Sequence, residues 1–307
     1  MMTRIETIDL NFENTPAVIA VYVIRHSNGA VIIDTGPGST IPALEMGLRG
    51  LGLAPRQVTD VLLTHIHLDH AGASWWLAGQ GARIHVHPVG APHLVNPEKL
   101  LMSAKRIYQD DMERLWGAFH PVAERQLVVE QDNAQIEIGG LKFVALDTPG
   151  HAEHHFAYLF DNVLFCGDIG GVRLAGMKHV WLPTPPPECQ LEKWRASVER
   201  LQALAPDYLA PTHFGIANER DWHLGSLLKA IDEIEAWLPR AMADNPTEQV
   251  FRERIRELYI ARGRADGLDD AGLHTYQTAA SSWMAADGLY RYWNKYRKEQ
   301  AGAAIRN

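Results

Sequence analysis

Residues His65 to His70, which read His-Ile-His-Leu-Asp-His, carry three imidazoles and a carboxylate within six positions. They follow the apolar run Val61-Leu62-Leu63 almost directly. A divalent metal binds several deprotonated donors that converge on one point, and neutral imidazole and carboxylate are ligands that Zn²⁺ and its neighbours accept. A strand that ends in a tight loop brings such donors together, so this segment predicts a metal site.

Three further donors follow, each after an apolar run and a turn. They are His151 in Thr148-Pro149-Gly150-His151, Asp168 in Cys166-Gly167-Asp168, and His213 after Tyr208-Leu209-Ala210-Pro211-Thr212. The seven donors exceed the number that one tetrahedral ion binds, but they suit two ions that share a bridging carboxylate. The sequence therefore predicts a dinuclear site.

The pattern H-x-H-x-D-H, followed by separate His, Asp and His donors, resembles the metallo-β-lactamase fold superfamily over roughly residues 5 to 215. The aspartate at position 168 makes the resemblance closer to glyoxalase II and the lactonases than to true β-lactamases. The resemblance implies a first metal held by His65, His67 and His151, a second held by Asp69, His70 and His213, and Asp168 as the bridge between them. Zinc is the expected metal, although iron and manganese also fit these donors, because affinity order and supply decide occupancy.

Two residues are expected to support the ligands without binding metal. Asp34, in Asp34-Thr35-Gly36, resembles the family's first motif, in which a carboxylate fixes the tautomer of ligand imidazoles; the alternative is an aspartate that only forms a turn. His155 lies where relatives such as glyoxalase II often have a second histidine, and a supporting and a purely structural role both stay open. Cys166 could supply a thiolate, but the alternation of its strand favours a buried thiol.

The composition of the chain limits the classes of molecule that it is expected to bind. The 307-residue chain has a formal net charge of -8, which argues against a nucleic-acid backbone as the main partner. Its two cysteines are too few for a disulfide framework, and the polar N-terminus does not resemble a signal peptide. No apolar run approaches the length of a membrane span. We expect a cytoplasmic protein that binds a small-molecule substrate, and a homo-oligomer stays open.

The elements that position the donors alternate between strands and helices. Ala17 to Ile24 and Ala30 to Ile33 predict a hairpin around Ser27-Asn28-Gly29. Further strands are predicted at 58–63, 141–146, 156–160 and 163–165, and helices at 40–50, 71–78 and 188–204. This mixture suits an α/β fold of two packed sheets flanked by helices, the four-layer αββα sandwich that the resemblance implies. Residues 1–215 would form the catalytic domain.

Residues 216–307 are predicted to form a helical C-terminal extension. Apolar residues from Leu224 to Leu238 recur at three- and four-residue spacing, which predicts an amphipathic helix that ends near Pro239. Phe251, Ile255 and Tyr259 predict a second helix, with Gly263 as its stop signal. The extension is interpreted as a helical cap on the sandwich, or as a lid or dimer contact that shapes the substrate pocket.

The predicted chemistry is hydrolysis. Paired metals on the order of 3.5–4 Å apart lower the pKa of a shared water, so that a metal-bridging hydroxide could attack an ester-like carbonyl in a lactone, thioester or carboxylic ester. Asp69 is the predicted catalytic residue, which orients the hydroxide and accepts its proton. The segment Val180 to Pro187, with Trp181 and Phe214, forms either a wall of the substrate pocket or only a rigid connection.

Two other functions stay open. A phosphodiesterase or nuclease of the same fold would need a basic surface near the metals, which the acidic balance disfavours. An iron-dependent redox enzyme, such as a sulfur dioxygenase, could use the same donors.

Overall fold

The structure of the chain is a computed structural model that describes residues 4–298. Its first sheet has six strands in chain order: β1 (Ile5–Asp9), β2 (Ala20–His26), β3 (Gly29–Ile33), β4 (Val58–Leu62), β5 (Arg83–Val86) and β6 (Leu127–Val129). The first three strands pair antiparallel, and the pairs from β3 to β6 are parallel. The predicted hairpin is therefore β2–β3.

The second sheet has five strands: β7 (Gln135–Ile138), β8 (Leu141–Asp147), β9 (Phe156–Phe160), β10 (Val163–Phe165) and β11 (Tyr208–Ala210). They lie in the order β11-β10-β9-β8-β7. Only the β10–β11 pair is parallel. Parallel neighbours end at the same edge of a sheet, so the loops after β10 and β11 leave the sheet side by side.

Eleven helices, counted among the described residues, complete the fold. They are α1 (Ile41–Gly50), α2 (Leu68–Ala71), α3 (Ser74–Gly79), α4 (Ala91–Val95), α5 (Glu98–Tyr108), α6 (Met112–Trp116), α7 (Leu191–Ala203), α8 (Arg220–Ala241), α9 (Glu248–Ala265), α10 (Asp270–Ala279) and α11 (Ser282–Tyr292), and the last continues as a π-helical segment, Trp293–Arg297. None of these helices is both long and apolar enough to cross a membrane.

Three apolar clusters hold the layers together. Side chains such as Tyr22, Ile33, Phe143 and Phe156 fill the space between the sheets. Helices α1 and α3 to α6 cover the outer face of the first sheet, and α7 covers the outer face of the second. Because side chains alternate along a strand, each sheet can pack on both faces. The α/β fold is thus the four-layer αββα sandwich that the sequence predicted.

The C-terminal helices α8 to α11 add to the cluster that contains α7. The extension therefore shares a continuous apolar core with the second sheet. The division of the chain into a catalytic domain at residues 1–215 and a helical extension at residues 216–307 stays a prediction. The helical cap is present, and residues at the end of α10 and the start of α11 line a cavity beside the predicted donors.

Two helices differ from the sequence prediction, and each has a glycine at a close packing contact. The helix predicted at 71–78 is split into α2 and α3, and the backbone of Gly72 passes so close to Pro37 that a Cβ would lie 2.6 Å from the proline Cα. Helix α9 continues through Gly263, where a Cβ would meet Leu273 Cδ2 at 2.6 Å. Gly263 thus permits contact with α10 and does not end the helix.

Candidate metal centre

All seven predicted donors meet at one edge of the sandwich. They follow the ends of four strands: His65 and His67, with Asp69 and His70 on α2, come after β4, His151 after β8, Asp168 after β10, and His213 after β11. Within each of three groups of these residues, the possible ligand atoms lie within 4.8 Å of one another. Residues far apart in the chain thus share one site.

The first group is made of three imidazoles. Nε2 of His65 and Nε2 of His151 each lie 2.9 Å from Nδ1 of His67. A tetrahedral ion with Zn–N bonds of about 2.0 Å holds its ligand atoms about 3.3 Å apart. A small outward movement of these nitrogens would therefore accommodate a metal ion. The geometry matches the ligand set expected for the first metal.

The second group joins a carboxylate to two imidazoles. Oδ2 of Asp69 lies 3.7 Å from Nε2 of His70 and 3.6 Å from Nε2 of His213. These separations suit a cation placed between the three atoms. The arrangement fits the expected second ligand set.

Asp168 lies between the two groups and divides its oxygens between them. Oδ2 is 3.4 Å from Nε2 of His151, whereas Oδ1 is 3.3 Å from Nε2 of His70 and 3.5 Å from Nε2 of His213. One carboxylate can serve two cations only if its two oxygens face different sites. Asp168 has this orientation.

Two atoms at the centre support a fit to metal. Nε2 of His70 and Oδ1 of Asp168 are buried and have no hydrogen-bond partner. Buried polar atoms are almost always partnered, because an unpartnered one costs the free energy of its lost hydration. The two atoms lie 3.3 Å apart, and a divalent cation bound by both would satisfy them.

The outward nitrogens of three imidazoles are held by acceptors. Nδ1 of His70 lies 2.8 Å from Oδ2 of Asp34. Nδ1 of His151 lies 2.9 Å from the Pro183 carbonyl, and Nδ1 of His213 lies 2.7 Å from that of Val18. A proton on each Nδ1 would donate to these oxygens, so that the Nε2 lone pair faces the centre. The rings are therefore aimed in the form that binds metal.

Asp34 occupies the position behind His70. Its backbone is left-handed, with φ of 56°, a conformation that aspartate tolerates better than most residues. Its carboxylate accepts hydrogen bonds from the Thr64 backbone N–H (2.7 Å) and hydroxyl, and from the Thr212 hydroxyl (2.8 Å). Asp34 thus connects the loops after β3, β4 and β11.

His155 is buried beside the centre. The Ile169 N–H donates to its Nε2 at 3.3 Å, and its Nδ1 lies 2.8 Å from the Thr148 hydroxyl. His155 therefore contacts the loops that carry His151 and Asp168 through the neighbouring residues Thr148 and Ile169. It forms no hydrogen bond with any of the seven predicted metal ligands. This contact pattern favours the supporting role.

Burial and charge set the protonation of the donors. Burial, reinforced by neighbouring imidazoles, lowers the pKa of His65 and His67 well below the usual value. Burial opposes ionisation of Asp168, but the nearby His70 and His151 hold its pKa well below the usual range. Neutral imidazole and ionised carboxylate are the forms that bind metal.

His70 behaves differently. Burial lowers its pKa, but the carboxylates of Asp168, Asp69 and Asp34 outweigh burial and raise that pKa well above the usual value. Protons and cations therefore compete for the second group.

Cys166 is not part of the centre. Its side chain is fully buried, and burial raises the pKa of its thiol to about 12. It therefore stays a neutral thiol, as the strand pattern predicted.

The structure corrects the two predicted substrate contacts. Trp181 is 1% exposed and packs against Tyr259, with ring centroids 4.2 Å apart, inside the core shared with the extension. Phe214 packs against the apolar cluster between the sheets. Neither residue lines the cavity beside the metal centre. Proximity to a ligand in sequence was a poor guide, because the side chain of Trp181 lies within a core and that of the half-buried Phe214 packs against another.

The cavity beside the centre has one side that the sequence analysis considered and others that it missed. Pro183 to Pro187 forms one side, which agrees with the interpretation of this segment as a pocket wall. The other sides come from α5, the end of α10 and α11. Leu100, Ala104 and Ile107 repeat at helical spacing, which could have predicted α5 but not its place beside the seven donors.

Comparison with known proteins shows the family of the chain. The family model described as the metallo-beta-lactamase superfamily matches residues 14–213. A hydroxyacylglutathione hydrolase of Aeromonas hydrophila is 31% identical over 245 residues, which are 75% of this chain and 80% of that protein. A metallo-beta-lactamase fold-containing protein of Sulfurisphaera tokodaii is 27% identical over 220 residues, 69% of this chain and 80% of that one.

Solved structures show the same fold. A metallo-beta-lactamase family protein of Thermus thermophilus superposes with a TM-score of 0.67 at 20% identity, over 95% of this chain and 93% of that one. This likeness extends through the C-terminal helices, since it covers more of the chain than the family model does.

Proposed function

The chain belongs to the metallo-beta-lactamase superfamily, and we propose that it is a hydrolase that uses two divalent metal ions, Zn²⁺ first among them, to cleave an ester-like carbonyl. A lactone, a thioester and a carboxylic ester share that group. The observation that carries the proposal is the orientation of Asp168, whose two oxygens face different groups of donors. The resemblance to hydroxyacylglutathione hydrolases supports a carbonyl substrate.

Seven residues would hold the metals. His65, His67 and His151 would bind the first, Asp69, His70 and His213 the second, and Asp168 both. When bound, two divalent cations lower the pKa of a shared water and polarise the oxygen of a substrate carbonyl. Iron and manganese are compatible with the same nitrogen and oxygen donors.

Asp69 is the residue proposed to act on the reacting water. Its side chain is 20% exposed and lines the cavity, whereas the side chain of His70 beside it is fully buried. Burial disfavours the ionised carboxylate, but His70 and a hydrogen bond with His213 lower the pKa of Asp69. An ionised carboxylate at the cavity surface can orient a water molecule and accept its proton.

Two of the other predicted ligands are held in place by hydrogen bonds to groups behind them. His151 is held by the Pro183 carbonyl and His70 by Asp34, so both rings are fixed before a substrate arrives. Such pre-organisation lets charged groups stabilise a transition state without rearranging. Asp34 and His155 would support the ligands and take no part in bond cleavage.

The cavity favours a carbonyl substrate over a phosphodiester. Lys99 is the one lysine or arginine among the described residues that line it, and Lys99 is exposed. Two bound divalent cations would contact a phosphodiester themselves, but beyond them the described part of the wall offers a phosphate only this one permanently cationic side chain. A small-molecule ester therefore fits the cavity better.

One experiment tests the proposal. The full chain is purified without added metal, its metal content is measured, and the same sample is assayed on lactones, thioesters and phosphodiesters. We expect two equivalents of a divalent metal and turnover of an ester-like substrate that chelation abolishes. Turnover of phosphodiesters alone would contradict the proposal, as would an iron-loaded protein that hydrolyses none of these substrates.

A further inference from the structure

A cavity of about 240 Å³ opens from the metal centre. His67, Asp69, His151 and Asp168 form one end of it. A substrate whose carbonyl lies among these donors therefore extends one of its ends into this cavity. The remaining walls determine which substrates fit.

Two walls come from distant parts of the chain. Leu100, Ala104 and Ile107 line the cavity from α5, and Ala279 and Met284 line it from the end of α10 and the start of α11. All five side chains are apolar. The extension therefore completes the substrate cavity, since its last helices form the wall opposite the sandwich.

The third side is rich in proline. Pro183, Pro185, Pro186 and Pro187 all line the cavity. Proline has no backbone N–H, so these positions offer no donor to a polar substrate. The carbonyl of Pro183 already accepts from His151.

Tyr108 supplies a hydroxyl to the cavity, but this hydroxyl is engaged. It donates to Sδ of Met284 at 3.1 Å, which links α5 to α11. Burial raises the pKa of Tyr108, and so does the charge of Asp69, so the phenol stays neutral. Apart from the metal donors, the polar side chains of the lining are His93, Lys99, Ser103, Tyr108, His154, Thr184, Glu188 and Ser281, and all the other lining residues are apolar. A hydrocarbon chain that lies along the apolar walls is removed from water without losing a hydrogen bond.

On the premise of the hydrolase function above, we propose that the substrate carries an apolar hydrocarbon chain next to the scissile ester-like group and that α5, α10 and α11 bind this chain. The chain lies on the acyl side or on the alcohol side of the bond. Apolar burial then contributes to kcat/KM by about fourfold for each methylene group until the cavity is full.

Two substrate series test this with the metal-loaded full chain. The first varies the acyl group of 4-nitrophenyl esters from acetate through butanoate and hexanoate to octanoate. The second varies the alcohol of acetate esters from ethanol to octanol. We expect kcat/KM to rise with length in one series, which identifies the side of the bond that enters the cavity. Equal kcat/KM at all lengths in both series would overturn the inference while the hydrolase function stands.

Variants on α5 and at the end of α10 test where the hydrocarbon chain of the substrate binds. Ala104→Leu and Ala279→Leu each fill part of the cavity, so each should lower the ratio of kcat/KM for the longest to the shortest substrate by about tenfold or more. Met102→Leu is the matched control, because Met102 lies on α5 but is 50% exposed and outside the cavity. Met102→Leu should leave the ratio unchanged. A ratio unaffected by both wall variants, in proteins that melt normally, would place the chain elsewhere.

Binding without catalysis gives a separate measurement. Calorimetry of octanoate and butanoate with the metal-free full chain should show tighter binding of octanoate, and Ala104→Leu should weaken it. If octanoate binds but no ester is hydrolysed, the proposed function fails and the apolar cavity stands. If octanoate binds no more tightly than butanoate, the cavity assignment fails.

Discussion

Oδ2 of Asp34, which directly follows β3, lies 2.8 Å from Nδ1 of His70 in the interior of the protein. The same carboxylate accepts hydrogen bonds from Thr64 and Thr212. A single side chain therefore orients one predicted ligand and fixes the two segments that carry four others, His65, His67, Asp69 and His213. A change at Asp34 should disturb the centre although Asp34 touches no metal position.

Asp34→Asn should lower the affinity of the second metal by about 10–100-fold. The amide keeps the shape and tolerates the left-handed backbone, but it cannot accept from His70 and the two threonines as a carboxylate does. Metal titration of the metal-free variant, followed by elemental analysis, measures the effect. Unchanged affinity for both metals would show that His70 does not depend on Asp34.

Asp168→Asn should remove at least one metal ion and most turnover. One carboxylate oxygen becomes an amide nitrogen, which is a donor and cannot serve a cation. Because a metal ion contributes several kcal/mol of transition-state stabilisation, kcat should fall by about 100-fold or more. Asp161→Asn, at an exposed turn residue with a left-handed backbone, is the control. A variant that keeps both metals and its activity would exclude the bridging role.

His85 should make stability depend on pH at a site away from the metals. Its Nε2 lies 3.0 Å from Asp60 and its Nδ1 lies 2.7 Å from Glu130, while Arg83 pairs with Asp60 at 2.7 Å. Burial lowers the pKa of His85, but the hydrogen bonds to Asp60 and Glu130 outweigh it and raise that pKa. The folded chain thus holds this proton more tightly than the unfolded chain does.

The direction in which stability changes with pH follows from that difference in pKa. The stabilisation is complete below the unfolded pKa of about 6.5 and is lost as pH rises through the higher folded pKa. His85→Gln should lower the free energy of unfolding by about 1.5–3 kcal/mol at low pH and less at high pH. Chemical denaturation across this range measures it, with the exposed His120→Gln as the control. A pH-independent difference would refute the assignment.

Trp181→Ala should destabilise the chain and leave substrate recognition intact. Trp181 is 1% exposed and packs on Tyr259 and Tyr276, so truncation should lower the free energy of unfolding by about 3–5 kcal/mol. Trp181→Phe should cost less, because the indole N–H has no partner to lose. Denaturant unfolding and KM are the two measurements. A raised KM in Trp181→Phe at normal stability would restore Trp181 to the substrate pocket.

The four donors from His65 to His70 could be predicted from the sequence because residues close in the chain stay close in space. The strands around them could be predicted for a related reason, since burial on a sheet imposes a period of two on the side chains. His151, Asp168 and His213 were recognised by their shared setting after apolar runs and by their order in the family pattern. Their convergence then followed from strands that end at one edge of the sandwich.

Only the tertiary structure decided what covers that edge. Ala104 and Met284 are far apart in the chain, and no local pattern indicates that α5 and α11 line one cavity beside the metal donors. The same limit explains Trp181 and Gly263, whose roles depend on which helix packs against them. The sequence by itself determined the donors and the layers, because those depend on local spacing and on periodicity. The substrate cavity depends on contacts between distant segments, so only the folded chain defines it.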